Sequence, residues 1–320
     1  MKRSTLGFFV LAAISAYLYM TGLIQSISLG SPAAVPLGVA LVFLAAGYRL
    51  EWPETQTALN LPLGMSDVKV IFSVIAGALA SHLLNVTFGL GAVLGAGIVG
   101  VLAALLLPDS STAVYCGAFC GMASTKVLPG IGHLILGSVI AGLIFVLAKE
   151  TMNGFGGKLG ATAAAGCTIA ALITGNKMLE APVPDWDTGK YAVLVTVLAA
   201  EAAYVINTRF RLGGVMGSGI ASLVGGLLLP ALFPDMGSTL AAACACGSYA
   251  GMSGRDRIPN EWFMAIAGVI AGLMFIWGSR CIGGIGGRLG TIGLGGVIAT
   301  WSGLRIYKKC CTGSAQQRPG

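Results

Sequence analysis

The sequence predicts an all-α integral membrane protein of 10–12 short transmembrane helices, arranged as two tandem structural repeats with re-entrant or broken helices. Three observations carry this. Of 320 residues, 56% are hydrophobic and only 10% charged, against about 25% charged in a soluble domain. The mean hydropathy is +0.85, and a water-soluble surface does not tolerate that much apolar area. Glycine occurs 49 times, as expected where helices packing in lipid need small residues for close backbone approach.

The N-terminus reads Lys2-Arg3 and then an apolar run from Leu6 to Ile24. A signal peptide fits the charge pattern, but a small-residue cleavage site is missing, so an uncleaved first helix is expected. Apolar spans follow at 34–48, 70–88, 90–107, 131–149, 159–175, 191–207, 212–230, 262–279 and 289–304. Several are shorter than the ~20 residues of a straight crossing. Two further uncharged stretches, 111–125 and 237–254, are rich in Ser, Thr, Gly, Ala and Cys, and each follows a Pro-Asp pair (Pro108-Asp109, Pro234-Asp235). Their length and polarity suit re-entrant or broken helices, because irregular backbone at membrane depth must line a cavity or be buried in protein.

Two blocks of the chain recur. Residues 85–108 match 207–230 with 12 of 24 positions identical, and 139–160 match 269–290 with 11 of 22 identical. Asn85, Phe88 and Pro108 align with Asn207, Phe210 and Pro230, and Gly156-Gly-Lys-Leu-Gly aligns with Gly286-Gly-Arg-Leu-Gly. Apolar bias alone would not align these residues. The expected organisation is an N-terminal two-helix unit (1–55), membrane repeat 1 (69–176), an inter-repeat loop (177–188), membrane repeat 2 (189–304) and a mobile cytoplasmic tail (305–320). Four crossings per repeat give parallel halves and five give inverted ones. The positive-inside rule places both termini in the cytoplasm either way and leaves the choice open.

Internal repeats in membrane proteins mark solute paths at the seam between halves. The expected function is therefore a secondary transporter or channel for a small ion or polar solute, in a prokaryotic inner or cell membrane. The alternative is a non-transporting membrane scaffold or a subunit of a larger complex. Glu201 is the one acidic residue well inside an apolar span, and intramembrane carboxylates are functional candidates by default. The plain alternative is a packing hydrogen bond or a wet helix face. His82 lies near the matched position of the first repeat. Asn85 and Asn207 precede Gly-rich helices, where they could cap or offer an amide to a solute. Ser111, Thr112, Ser238 and Thr239 open the two short segments, whose helix N-termini would favour an anion or polar group. Gly117, Gly121, Gly247 and Gly251 form Gly-x-x-x-Gly pairs, which serve tight packing equally well. Lys158 and Arg288 open helices after Gly-Gly, and Arg255 follows the second short segment. These cations are placed at the mouth of a path, with snorkelling to headgroups as the plain alternative.

Cys116, Cys120, Met122, Cys244, Cys246 and Met252 could offer soft ligands to Cu(I), but small-residue packing accounts for them more simply. No cofactor and no metal are expected. No catalytic motif stands out, so no enzymatic activity is expected. The net charge of +7 lies between apolar stretches, with no basic, aromatic-interleaved face for nucleic acid. The expected partners are the lipid bilayer and a small solute or ion, with a homo-oligomer left open.

Overall fold

Residues 2–58, 64–180 and 182–315 are described by the computed structural model, with side chains to residue 311. They are 76% helical without strands. In chain order the helices are α1 (Arg3–Ser28), α2 (Ala34–Thr57), α3 (Met65–His82), α4 (Ala92–Leu106), α5 (Ser111–Gly121), α6 (Ile131–Leu147), α7 (Lys158–Ile173), α8 (Trp186–Thr208), α9 (Gly214–Leu232), α10 (Gly237–Ala250), α11 (Glu261–Trp277) and α12 (Arg288–Ala315). A π-helical turn, Leu83–Thr87, extends α3. Among the described residues, five helices are long and apolar enough to cross a membrane: α1, α2, α3 with its extension, α8 and α9. Four shorter apolar helices, α4, α6, α7 and α11, accompany them.

The interior is built from small residues. Ala163, Ala164, Ala171, Ala245 and Ala250 are fully buried, while Phe72, Leu106, Leu198 and Trp262 are exposed. This inside-out distribution is the one an apolar solvent permits. The expected Gly-x-x-x-Gly packing is present. A Cβ at Gly117 would overlap the carbonyl oxygen of Val74 on α3, and one at Gly247 would overlap that of Thr196 on α8. Gly121 and Gly251 sit in the same way against Ala78 and Ala200.

These contacts recur at the spacing of the repeated sequence blocks, and so does the backbone. Met152 and Ile282 both take positive φ, as do Gly154 and Gly284, and Gly157 and Gly287. Positive φ is uncommon for non-glycine residues, most of all for a β-branched one such as isoleucine. The same sign of φ returns 130 residues later. The loops before α7 and α12 also cross over. Gly254 N donates to Gly154 O at 2.9 Å, and Ser124 N donates to Gly284 O at 2.8 Å. Gly157 packs on Gly290, and Gly287 on Gly160.

Several boundaries differ from the sequence expectation. α2 runs past residue 48 to Thr57, because Glu51 finds an internal cation and does not need solvent. α8 begins at Trp186, inside the expected loop 177–188, because Asp185 caps it. α12 continues to Ala315, so residues 305–315 of the expected mobile tail are helical. Arg305 there lies over the Trp301 ring at 5.5 Å. The last five residues of that tail, 316–320, lie outside the described residues.

Candidate functional site

Two cavities hold most of the polar side chains that the helix ends bring together. The larger, about 660 Å³, lies where α3, α5 and α7 begin and α6 ends. Lys69, Lys149 and Lys158 line it, opposed by one carboxylate, Asp109. Ser110 and Thr112, at the start of α5, add hydroxyls and bring the positive end of that helix to the wall. Lys158 Nζ donates to Asn153 Oδ1 at 2.7 Å, which holds the ammonium at the wall. An excess of cations beside a helix N-terminus makes the cavity attractive to anions.

The smaller cavity, about 330 Å³, is lined by Ser238, Thr239 and Ala242 of α10, Phe275, and Arg288 with Leu289 of α12. Five of these six have a counterpart 130 residues earlier in the larger cavity: Thr239 with Asp109, Ala242 with Thr112, Phe275 with Phe145, Arg288 with Lys158 and Leu289 with Leu159. Arg288 Nη2 donates to Gly278 O at 3.0 Å, while its buried Nε has no partner among the described residues. The two cavities lie at opposite ends of α10. Ser238 and Thr239 are at its start, and Met252, just past its end, lines the larger one. The separation is about 20 Å at 1.5 Å per residue.

Between these ends α5 and α10 meet through aromatic rings. Phe119 and Tyr249, 130 residues apart, have centroids 4.4 Å from each other, and Tyr115 lies 4.3 Å from Phe119. A buried hydroxyl chain adjoins them: Tyr115 Oη to Ser218 Oγ at 3.0 Å, Ser218 to Ser248 at 3.1 Å, and Ser222 to Ser248 at 3.0 Å. This contact is close-packed, with Tyr115, Phe119 and Tyr249 fully buried.

The structure thus brings Thr112 and Lys158 together at one end, and Ser238, Thr239 and Arg288 at the other. Ser111 turns away, its hydroxyl donating to Pro108 O at 2.8 Å. Asn85 and Asn207 line neither cavity. They cap the C-terminal ends of the short segments, donating to Gly121 O at 3.4 Å and Ser253 O at 3.0 Å. His82, which ends α3, is half-buried and also lines neither cavity. Glu201 is half-buried on α8, lines neither cavity, and makes no hydrogen bond or ion pair with the described residues. The four glycines are filled by the neighbouring helix backbones. Arg255 is exposed in the loop after α10. Among the described residues no group of three or more His, Cys, Asp or Glu side chains is placed to hold a metal ion. Cys116, Cys120, Cys244 and Cys246 are free thiols buried in helix packing.

Sequence reasoning missed Lys69, Lys149 and Asn153 as lining residues. Lys149 and Asn153 precede the Gly-Gly-Lys turn closely enough to have been read with it. From the sequence, Arg257, next but one to Arg255 in the segment after α10, reads as a gate or a wet loop. Arg257 is buried, clamped by Glu51 through Nη1–Oε2 at 2.8 Å and Nη2–Oε1 at 3.0 Å, with Glu54 at 3.0 Å. Its Nε donates to Asn153 O at 2.9 Å, and its guanidinium lies 4.3 Å from the Phe155 ring centre. The arginine thereby ties α2 to the loop that carries Asn153, the partner of Lys158. Comparison with known proteins brings no match: no family model, no curated protein and no solved structure is significantly similar to the chain.

Proposed function

We propose that the chain is an integral, multi-pass membrane carrier or channel for a small anion, with its path between two repeats of inverted topology. The units are α3–α7 and α8–α12. Five helices each is an odd number, and an odd count inverts the second unit against the first. The helices α5 and α10, of 11 and 14 residues, are then broken crossings. At about 16 and 21 Å they are shorter than the ~30 Å hydrocarbon layer.

One observation carries the reading: matched cavities at opposite ends of α10, each with the cation that opens α7 or α12 in its wall. A solute path needs access from two sides, and two copies of one access route in opposite sense supply it. The cations and the helix N-terminus at the larger cavity select for negative charge. The rings of Tyr115, Phe119 and Tyr249 are the closed section between the cavities. We read no catalytic role into the site. Lys2 and Arg3 at one end, and Arg305, Lys308 and Lys309 at the other, place both termini in the cytoplasm by the positive-inside rule. The larger cavity then faces the cytoplasm.

The test is flux into proteoliposomes of the purified chain, with chloride, nitrate, sulfate and phosphate as anions and potassium as the cation control. At least one anion should move faster than potassium, and Lys158→Gln and Arg288→Gln should each lower that flux about tenfold. Absence of flux for every solute would favour the non-transporting scaffold.

A further inference from the structure

We propose that a third cavity, at the end of α1 remote from the larger vestibule, binds one phospholipid with a phosphate-and-ammonium headgroup. It measures about 380 Å³ and lies between α1, residues 178–180 of the inter-repeat segment, and the chain after α11. The inference rests on the membrane location but not on transport.

The wall has two chemically distinct parts. Along α1 it runs from Tyr17 to Ser28, eleven residues and so about 16 Å. That reaches roughly half-way through a hydrocarbon layer. Tyr17 and Ile24 line it while also being 54% and 59% exposed on the outer face of α1. The groove is therefore open sideways, where an acyl chain would lie. At the polar part, Glu180 and Arg280 line the same cavity. Both are exposed, and neither makes an ion pair or hydrogen bond with another described residue.

Two opposite charges that share a cavity without pairing fit a ligand that carries both signs. A phosphate alone would meet Glu180, and a lone amine would meet Arg280. An inner salt satisfies both, with the phosphate on the guanidinium and the ammonium on the carboxylate. Gln25 adds a third point. It is only 9% exposed, it lines this cavity, and its Nε2 has no hydrogen-bond partner among the described residues. A buried donor without an acceptor is costly, and a lipid phosphate or ester oxygen would provide one.

Delipidated chain in detergent, titrated by native mass spectrometry with dioleoyl phosphatidylethanolamine, dioleoyl phosphatidylglycerol and free phosphoethanolamine, tests this. One phosphatidylethanolamine should be retained per chain, at least fivefold tighter than phosphatidylglycerol. Glu180→Gln should erase that preference, and Arg280→Gln should weaken both lipids about tenfold. Anion flux of Glu180→Gln should match the parent, so failure here is separable from failure of the transport reading. Equal retention of the two lipids by the parent, or an unchanged ratio in Glu180→Gln, overturns the proposal. Free phosphoethanolamine binding as tightly as the lipid overturns it too, by making the cavity a site for a soluble solute.

Discussion

The Arg257 guanidinium has 8% side-chain exposure, and the Glu51 carboxylate faces it at 4%. Desolvating two ions is expensive, and their attraction repays it only with good geometry and further hydrogen bonds. Here both conditions hold, through the two-point clamp and the Asn153 carbonyl. Arg257→Met leaves Glu51 buried and unpaired, and should lower unfolding stability in detergent by about 3–5 kcal/mol. The double variant Glu51→Leu/Arg257→Met should lose much less, read from the same unfolding curves. Glycine substitutions divide in the same physical way. Gly117→Ala and Gly247→Ala drive a methyl into a carbonyl oxygen of α3 or α8, and each should cost roughly 1–3 kcal/mol as overpacking does. Gly132→Ala meets nothing within 4 Å and sits in α6 without a positive φ. It should be neutral or gain up to about 1 kcal/mol from helix propensity. Thermal unfolding of the three variants separates them. A Gly117→Ala protein as stable as its parent would mean that α3 and α5 are not this close.

At the scale of elements, the helices were legible where apolar runs ended in charge or glycine. The expected spans 90–107, 131–149 and 212–230 fall within two residues of α4, α6 and α9. The miss at α2 has a tertiary cause, the fate of a buried charge. Glu51 looked like the end of a span, yet α2 continues because its carboxylate is met by a residue 206 positions away. The cavities were half legible. The cations after Gly-Gly stood out by their repetition, whereas Lys69 and Lys149 looked like ordinary flanks. At α8 the start is fixed by Asp185, whose side chain accepts from Thr188 N at 2.9 Å. The Thr188 hydrogen bonds hold the Asp185 carboxyl below its usual range. A depressed carboxylate contributes stability above its unfolded pKa, and that contribution is lost as pH falls through the lowered value. Hydrogen exchange of the first turn of α8 should therefore quicken below about pH 4, close to the ordinary Asp value. In Asp185→Asn, which caps without titrating, exchange corrected for intrinsic rates should stay flat over the same range.

For the whole molecule, the proposed inverted arrangement makes a claim about sidedness that no single residue makes. Thr112 and Ser238 are both exposed within cavities that lie at opposite ends of α10. A cysteine placed at each should react with a membrane-impermeant thiol reagent from opposite sides of the bilayer. The background is favourable, because six of the native cysteines are buried and only Cys310 and Cys311 are exposed, so serine at those two positions leaves a quiet parent. In that parent, Thr112→Cys should label from the side that carries the termini, and Ser238→Cys from the other. A saturating anion that is carried should slow both reactions, because Lys158 and Arg288 line the same two cavities as the labelled positions. A carrier that alternates between its two faces adds a further mark. Fixing one cavity open by labelling there should lower the labelling rate at the other, whereas a channel would label at both ends independently. Labelling of both cysteines from one side would require parallel units with four crossings each, and the path between inverted halves would then be wrong, whatever the flux measurements gave.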